Sequence, residues 1–520
     1  MLDCLITSCS IIDGSGAPAY YGQVGMENGK LRLFSMQEHP AADEVIDGAG
    51  FTAVPGFIDA HSHGDLTMRG AYATRSKISQ GITTQIAGQC GVSMFPVGAE
   101  HQNLFPRFAA GIAPHPELPE NLSTCKSAES FFNWTHSLQN PVHTYSFVGH
   151  GTLRLWAMGY ENRKPDASEL HRMQDMLRQC MQEGALGLST GLVYAPSCYA
   201  DNEELLALLE VVAQEGGVYA CHPRNEADTV VQARRESIEL AGRAGVPLCL
   251  SHMKAAGRDN WGKPRQMLAD VEEAVARGQR ILMDSYPYMA GCTSLNVSIP
   301  PQYFSDGMPG LVRALQSPVD RAEIRRQLST KTAYENYIYN CGGFAGVFIS
   351  SCPMDHSAEG MFLTEYAEKL GMDPFDAYCE ILIRNQGLGL GIYFHMSESD
   401  VVDILTHPLC VVGTDGLLGS EQENPHPRTF GTMPCAYNLL VREKKLLTPE
   451  QAIRKMSGQT ADFLGLIGKG HLQNGYDADL VLLDLPEYRD CATYQQGNIV
   501  CSGINKVFSS GKCVYSTHAK

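Results

Sequence analysis

Between residues 201 and 286 the chain repeats one unit, a β-like run followed by an amphipathic helical stretch, at a spacing of about thirty residues. That rhythm commits a chain to a parallel α/β sheet, because each helix must cross the sheet to bring the next strand back in the same direction. Asp201 caps one helix with Glu204 three residues on, Leu205, Leu208, Leu209 and Val212 form its apolar stripe, and Gly216-Gly217 ends it. The strand 218–222 follows, then a helix over about 228–244, the strand 247–252, a helix over about 266–277 and the strand 281–286. Each strand ends on a residue capable of chemistry: His222, His252 and Tyr286. In a (β/α)8 TIM-like barrel the C-terminal strand ends form the active face, so a barrel is expected over 55–467. A doubly wound open sheet is the competing arrangement, and no Gly-x-Gly-x-x-Gly follows the first strand.

The two ends of the chain read differently. The first fifty or so residues alternate short β-like runs with turn signals, Asp13-Gly14-Ser15-Gly16 and Glu27-Asn28-Gly29-Lys30. The last stretch does the same, with a run over 479–484 and another ahead of Ser509-Ser510-Gly511-Lys512. Both termini are expected to form one small β-sandwich, 1–54 plus 468–520, beside the barrel. Over 291–344 the strand–helix rhythm breaks, with Pro300, Pro301, Pro309 and Pro318 and a charged helical piece around 321–327. Long insertions in barrel enzymes sit on the loop face, and this one is expected to cover the barrel mouth as a lid.

The segment Phe57-Ile58-Asp59-Ala60-His61-Ser62-His63 places His61 and His63 on one face at the end of an apolar run. Alone, a His-x-His pair is weak. Further along stand Cys90 in Gly88-Gln89-Cys90-Gly91, His222, His252 and Asp415 in Gly413-Thr414-Asp415-Gly416, each after a β-like run. Imidazoles, a thiolate and a carboxylate on matching strand ends make the inventory of one or two closely spaced zinc-type sites. Zinc lowers the pKa of bound water to about 7 and polarises a carbonyl, which suits hydrolysis. Asp415 is placed to accept the water proton and pass it to a leaving nitrogen.

At 520 residues, 44% hydrophobic and 19% charged, the chain can bury a large core and a satellite domain. A net charge of −17 with no clustered Lys and Arg argues against nucleic-acid and anionic-membrane surfaces. No signal-like stretch, bilayer-length run or Cys-x-x-Cys pair is present, so the 17 cysteines read mostly as packing thiols in a reducing, cytoplasmic compartment.

The Val-Pro-Gly-Phe-Ile-Asp-Ala-His-Ser-His run, His222, His252, Asp415 and the Gly-Tyr-Asp-Ala-Asp-Leu-Val ending resemble the amidohydrolase superfamily over nearly the whole chain. More narrowly, Gly88-Gln89-Cys90-Gly91, His222-Pro223-Arg224-Asn225-Glu226, Ser251-His252-Met253-Lys254, Asp284-Ser285-Tyr286-Pro287-Tyr288 and His426-Pro427-Arg428 resemble the N-acyl-D-amino-acid deacylases (D-aminoacylases). Many two-metal amidohydrolases bridge their ions with a carboxylated lysine on the fourth strand, and the stretch 184–190 has none. In the deacylases a second-strand cysteine substitutes, and Cys90 stands there.

The resemblance implies a tight zinc site of Cys90, His222 and His252, and a weaker one of His61 and His63 that Cys90 also reaches. It implies Asp415 as general acid/base, and Arg428, helped by Lys254 and Tyr286, as the holder of the substrate α-carboxylate. The substrate would be a small N-acyl-D-amino acid. Acid-accepting relatives place an arginine early in the lid insertion, whereas 286–311 here has no Lys or Arg and carries Leu295, Val297, Ile299, Pro300, Tyr303 and Phe304. A neutral or hydrophobic side chain is therefore expected. His150, at another strand end, is assigned nothing beyond a pocket wall. A cyclic-amide hydrolase of the hydantoinase or dihydroorotase kind is the runner-up, opposed by the absent lysine and by His426-Pro427-Arg428. A catalytically silent scaffold is a third reading, which an incomplete site would favour.

Overall fold

The computed structural model describes residues 1–113, 115–418, 421 and 423–517. Its centre is a closed ring of parallel strands: β1 (Phe57–Asp59), β2 (Ile82–Ala87), β3 (His143–Ser146, continued by Val148–Gly149), β4 (Gly187–Gly191), β5 (Val218–His222), β6 (Leu248–Leu250), β7 (Ile281–Ser285) and β8 (Cys410–Val412). Neighbours pair in register from Phe57↔Ile82 through to Met283↔Cys410. The seam between β8 and β1 closes where Asp415 N donates to His61 O at 2.8 Å and Ala60 N to Val412 O at 3.4 Å. The competing open sheet is thereby excluded, and the fold is a closed parallel α/β barrel.

Helices fall where the apolar stripes place them, at Asn202–Gln214, Val230–Ala244 and Pro264–Ala276 between successive strands β4 to β7. Leu205, Leu208, Leu209 and Val212 are all buried against the barrel. Asp201 caps its helix by accepting from the backbone N–H groups of Glu203 and Glu204. The Glu204 side chain does not reach back to the cap. It is drawn inward to His150 at 2.9 Å and Arg154 at 2.5 Å, since two buried cationic or donor groups need an acceptor more than an exposed helix end does.

Strands from both ends of the chain hydrogen-bond into one eight-stranded sheet. Leu2–Ile11 pairs with Tyr20–Glu27, Ala42–Asp47 and Thr52–Pro55, and Thr52–Pro55 pairs with Leu480–Leu483 from the other end. Asn28 and Gly29 have φ of 51° and 74°, the two left-handed residues that a tight hairpin between Glu27 and Lys30 requires. Ser510 and Gly511, at 48° and 79°, make the same turn between Ser509 and Lys512.

Between β7 and β8 the chain makes a long excursion with its own antiparallel sheet, Ala290–Ser294 and Val347–Ser351 on either side of Leu390–Phe394. The helices Met308–Gln316, Pro318–Leu328, Leu363–Leu370 and Pro374–Arg384 pack into a separate apolar cluster around Leu311, Leu315, Tyr366 and Tyr378. The stretch 291–344 is the first part of this excursion, which runs on to Phe394.

Candidate metal centre

Cys90, His252 and Asp415 each lie just past a barrel strand with φ of 52°, 31° and 47°, a region that non-glycine residues seldom occupy. These left-handed turns aim the three side chains across the C-terminal mouth of the barrel. His61, His63 and His222 join them from β1 and β5. Gly413 makes room for this at the β8 end, since a Cβ there would stand 2.6 Å from the Cβ of His61.

The ligand atoms converge. Cys90 Sγ lies 3.2 Å from His252 Nε2, 3.4 Å from His61 Nε2 and 3.6 Å from His222 Nδ1. His222 Nδ1 and His252 Nε2 are 2.9 Å apart. Tetrahedral edges built from Zn–S and Zn–N bonds are about 3.3–3.6 Å, so the sulfur-to-nitrogen spacings fit one bound ion. Cys90, His222 and His252 form one such group, and His61, His63 and Cys90 a second that shares the sulfur.

Carboxylates stand behind two of the imidazoles. His61 Nδ1 sits 3.2 Å from Asp284, and His252 Nδ1 2.9 Å from Glu226. Asp284 only accepts, so His61 Nδ1 carries a proton toward it, while His252 Nδ1 lies 2.9 Å from the Lys254 ammonium as well as from Glu226. Burial alone would push the Cys90 thiol up, but His252 and His61 outweigh it and hold the thiol well below its usual range. Asp415 is likewise raised by burial and lowered more by Arg428 and His63, ending well below the usual carboxylate range. A thiolate, a carboxylate and four imidazoles in one buried spot are the donor set of a cation. The residues fit zinc.

Asp415 Oδ1 is 3.3 Å from His63 Nε2 and 3.6 Å from His61 Nε2, while its Oδ2 is 2.9 Å from Arg428 Nη1. Arg428 also donates to Cys292 O at 2.9 Å and stacks 4.7 Å from the Tyr286 ring centre. Lys254 donates to both oxygens of Glu226 at 2.9 Å and lies 5.7 Å from the same ring. A cavity lies over the centre, bordered by Tyr194, Tyr286, Thr293, Tyr337 and His395 as well as by His63, Cys90, His222 and His252. His150 is not in its wall: the imidazole is buried between Ser197 Oγ at 2.5 Å and Glu204 at 2.9 Å.

Several participants escape sequence reasoning. Glu226 and Asp284 stand inside quoted motifs, and a carboxylate four residues after His222 or two before Tyr286 was the available signal. Tyr194 follows β4, the strand without a lysine, and there Ser189 Oγ donates to Gly88 O at 2.5 Å and accepts from Gly91 N at 3.1 Å, bracing the turn that carries Cys90. Tyr337 and His395 come from the excursion, where nothing in the local pattern marks them.

Comparison with known proteins agrees with this geometry. Residues 394–515 match the model of the Amidohydrolase family. A D-aminoacylase of Alcaligenes xylosoxydans xylosoxydans is 32% identical over 520 residues, covering 99% of this chain and 95% of its own length. An N-acyl-D-aspartate deacylase of the same organism is 31% identical, covering 99% and 92%. The crystal structure of N-acyl-D-glutamate deacylase from Bordetella bronchiseptica, complexed with zinc and a phosphonate inhibitor, superposes with a TM-score of 0.82 at 30% identity, covering 99% of this chain and 97% of that one. With identity at this level from end to end, the chain belongs to the D-aminoacylase (N-acyl-D-amino-acid deacylase) family of the amidohydrolases.

Proposed function

We propose that this chain is a zinc-dependent hydrolase that cleaves the amide bond of N-acyl-D-amino acids, releasing a free D-amino acid and a carboxylic acid. The observation that carries the reading is the buried thiolate–imidazole cluster of Cys90, His222 and His252 facing the Asp415 carboxylate. Cys90, His222 and His252 would hold a tight ion, and His61 and His63 with Cys90 a weaker one. A zinc ion bound there supplies Lewis acidity toward the scissile carbonyl and acidifies water at neutral pH.

The remaining work falls to side chains of this chain. Asp415, ionised and within 3.6 Å of both His61 and His63, takes the proton of the attacking water and returns it to the departing amine nitrogen. Arg428 exchanges part of its hold on Asp415 for the substrate α-carboxylate, against the ring of Tyr286 and beside Lys254. With carboxylate and scissile amide both fixed, the α-carbon has one direction left for its side chain, which is how a D centre would be read. Val297, Ile299 and Phe304 line a chamber beside the catalytic cavity, which supports a neutral or hydrophobic side chain. We further read 1–54 plus 468–520 as a small β-sandwich domain and 291–344 as a lid over the catalytic barrel.

The test is amine release from N-acetyl-D-methionine and N-acetyl-L-methionine, with and without a chelator. Turnover of the D form alone, abolished by chelation and restored by zinc, is expected. Equal rates on both enantiomers, or opening of dihydrouracil or hydantoin without deacylation, would sink the reading.

A further inference from the structure

His395 lines the catalytic cavity but belongs to neither metal-binding group. It follows the excursion strand Leu390–Phe394, and its carbonyl is held by Gly257 N at 2.8 Å and Trp261 Nε1 at 3.1 Å, from the loop after β6 that also carries Lys254. The backbone is tied down and the ring is not. The residue is 3% exposed, yet neither Nδ1 nor Nε2 has a hydrogen-bond partner among the described residues. A neutral imidazole carries one N–H and one lone pair, and a buried N–H without an acceptor is costly.

Gly291 shows where the ring points. A Cβ at that position would stand 3.2 Å from His395 Nε2 and 3.4 Å from the Tyr286 hydroxyl, so both polar atoms face a space that glycine leaves open. One residue on, Cys292 O accepts from Arg428 Nη2 at 2.9 Å, while Arg428 Nε is buried without a partner among the described residues. Three donors thus border one corner of the cavity. Burial, joined by Lys254 and Arg428 and opposed by Glu226, pushes the imidazole down to about 3, so at neutral pH it is an uncharged donor. A carboxylate suits such a corner, because it only accepts and its charge strengthens each bond it takes.

Resting on the deacylase reading above, we propose that His395 is a substrate-binding residue, its Nε2–H donating to the substrate α-carboxylate alongside Arg428 and Tyr286. The excursion then does more than cover the site. It delivers one of the groups that hold the substrate.

The test measures kcat and KM of the purified zinc-loaded protein on N-acetyl-D-methionine and N-acetyl-D-alanine, which share the carboxylate and differ in side chain. Where turnover of the alanine derivative is slow, its competitive Ki against the methionine derivative replaces KM. His395→Phe keeps a ring and loses the donor, and should raise KM about tenfold or more on both substrates with kcat within about threefold of wild type. His395→Gln, whose amide can place an N–H near the same spot, should recover most of that loss. An unchanged KM in folded His395→Phe overturns the proposal, as does a fall in kcat alone. A rise confined to D-methionine also overturns it, by assigning the ring to the side-chain pocket, and so does a His395→Gln protein as impaired as His395→Phe. Should His395→Phe fail to fold, His395→Leu takes its place. Hydrolysis that is indifferent to His395 removes this proposal alone, whereas no hydrolysis of any D substrate by the wild type removes the deacylase reading with it.

Discussion

At the scale of single residues, the centre depends on side chains whose surroundings force one protonation state. Asp415 is the sharpest case, because Arg428 on one oxygen and His63 near the other keep it ionised despite burial. Replacing it with Asn keeps size and shape but removes the proton acceptor. Asp415→Asn should lower kcat by about 100-fold or more, the usual weight of general acid–base catalysis, while zinc content measured by mass spectrometry stays at the wild-type level. Full activity in that variant would mean the proton travels by another group. The metal-type residues were legible in the sequence because histidine, cysteine and aspartate directly after apolar runs are unusual. Glu226 and Asp284 were not, because their role is defined by which imidazole nitrogen they face, and that is settled by contacts across 223 positions of chain in the His61–Asp284 pair.

At the scale of elements, the barrel seam between β1 and β8 is tied by one buried group. Lys77, on the helix Ala71–Ile78, donates to Asp59 at 2.5 Å, Ser62 Oγ at 3.0 Å and Thr414 Oγ1 at 3.3 Å. Asp59 in turn accepts from Thr414 N and Oγ1, both at 2.7 Å, so the loops carrying His61, His63 and Asp415 share one anchor. Lys77→Met leaves the Asp59 charge buried with its cation gone. Such a break costs about 3–5 kcal/mol, and the urea midpoint should fall accordingly. A loss below about 1 kcal/mol would show that Thr414 alone satisfies Asp59. Sequence periodicity located the strands and helices of the barrel well, since each packs one apolar face. It missed the antiparallel sheet of Ala290–Ser294, Leu390–Phe394 and Val347–Ser351, whose strands pair across about a hundred residues in one case and about forty in the other, and are too short to show alternation.

At the scale of the whole molecule, the terminal sheet is locked to the barrel through Asp479. Its carboxylate takes Lys469 Nζ at 2.6 Å, Ser510 N at 2.8 Å and His143 Nε2 on β3 at 3.3 Å, while Ser509 Oγ donates to Pro141 O at 2.6 Å. Burial opposes the Asp479 charge, but His143 and Lys469 outweigh it and bring the carboxyl down from 3.8 to about 2. A folded-state value below the unfolded one means the native form holds the proton less tightly, so the stabilisation is complete above pH 4 and fades as pH falls toward 2. The size of the shift corresponds to about 2 kcal/mol, of which roughly half is gone by pH 3. Asp479→Asn should therefore lower unfolding free energy by about 2 kcal/mol at pH 6 and by about half as much at pH 3, read from urea unfolding of both proteins at the two pH values. A difference that stays constant between pH 6 and pH 3 would assign the loss to packing, and the junction would then not depend on the charge of Asp479.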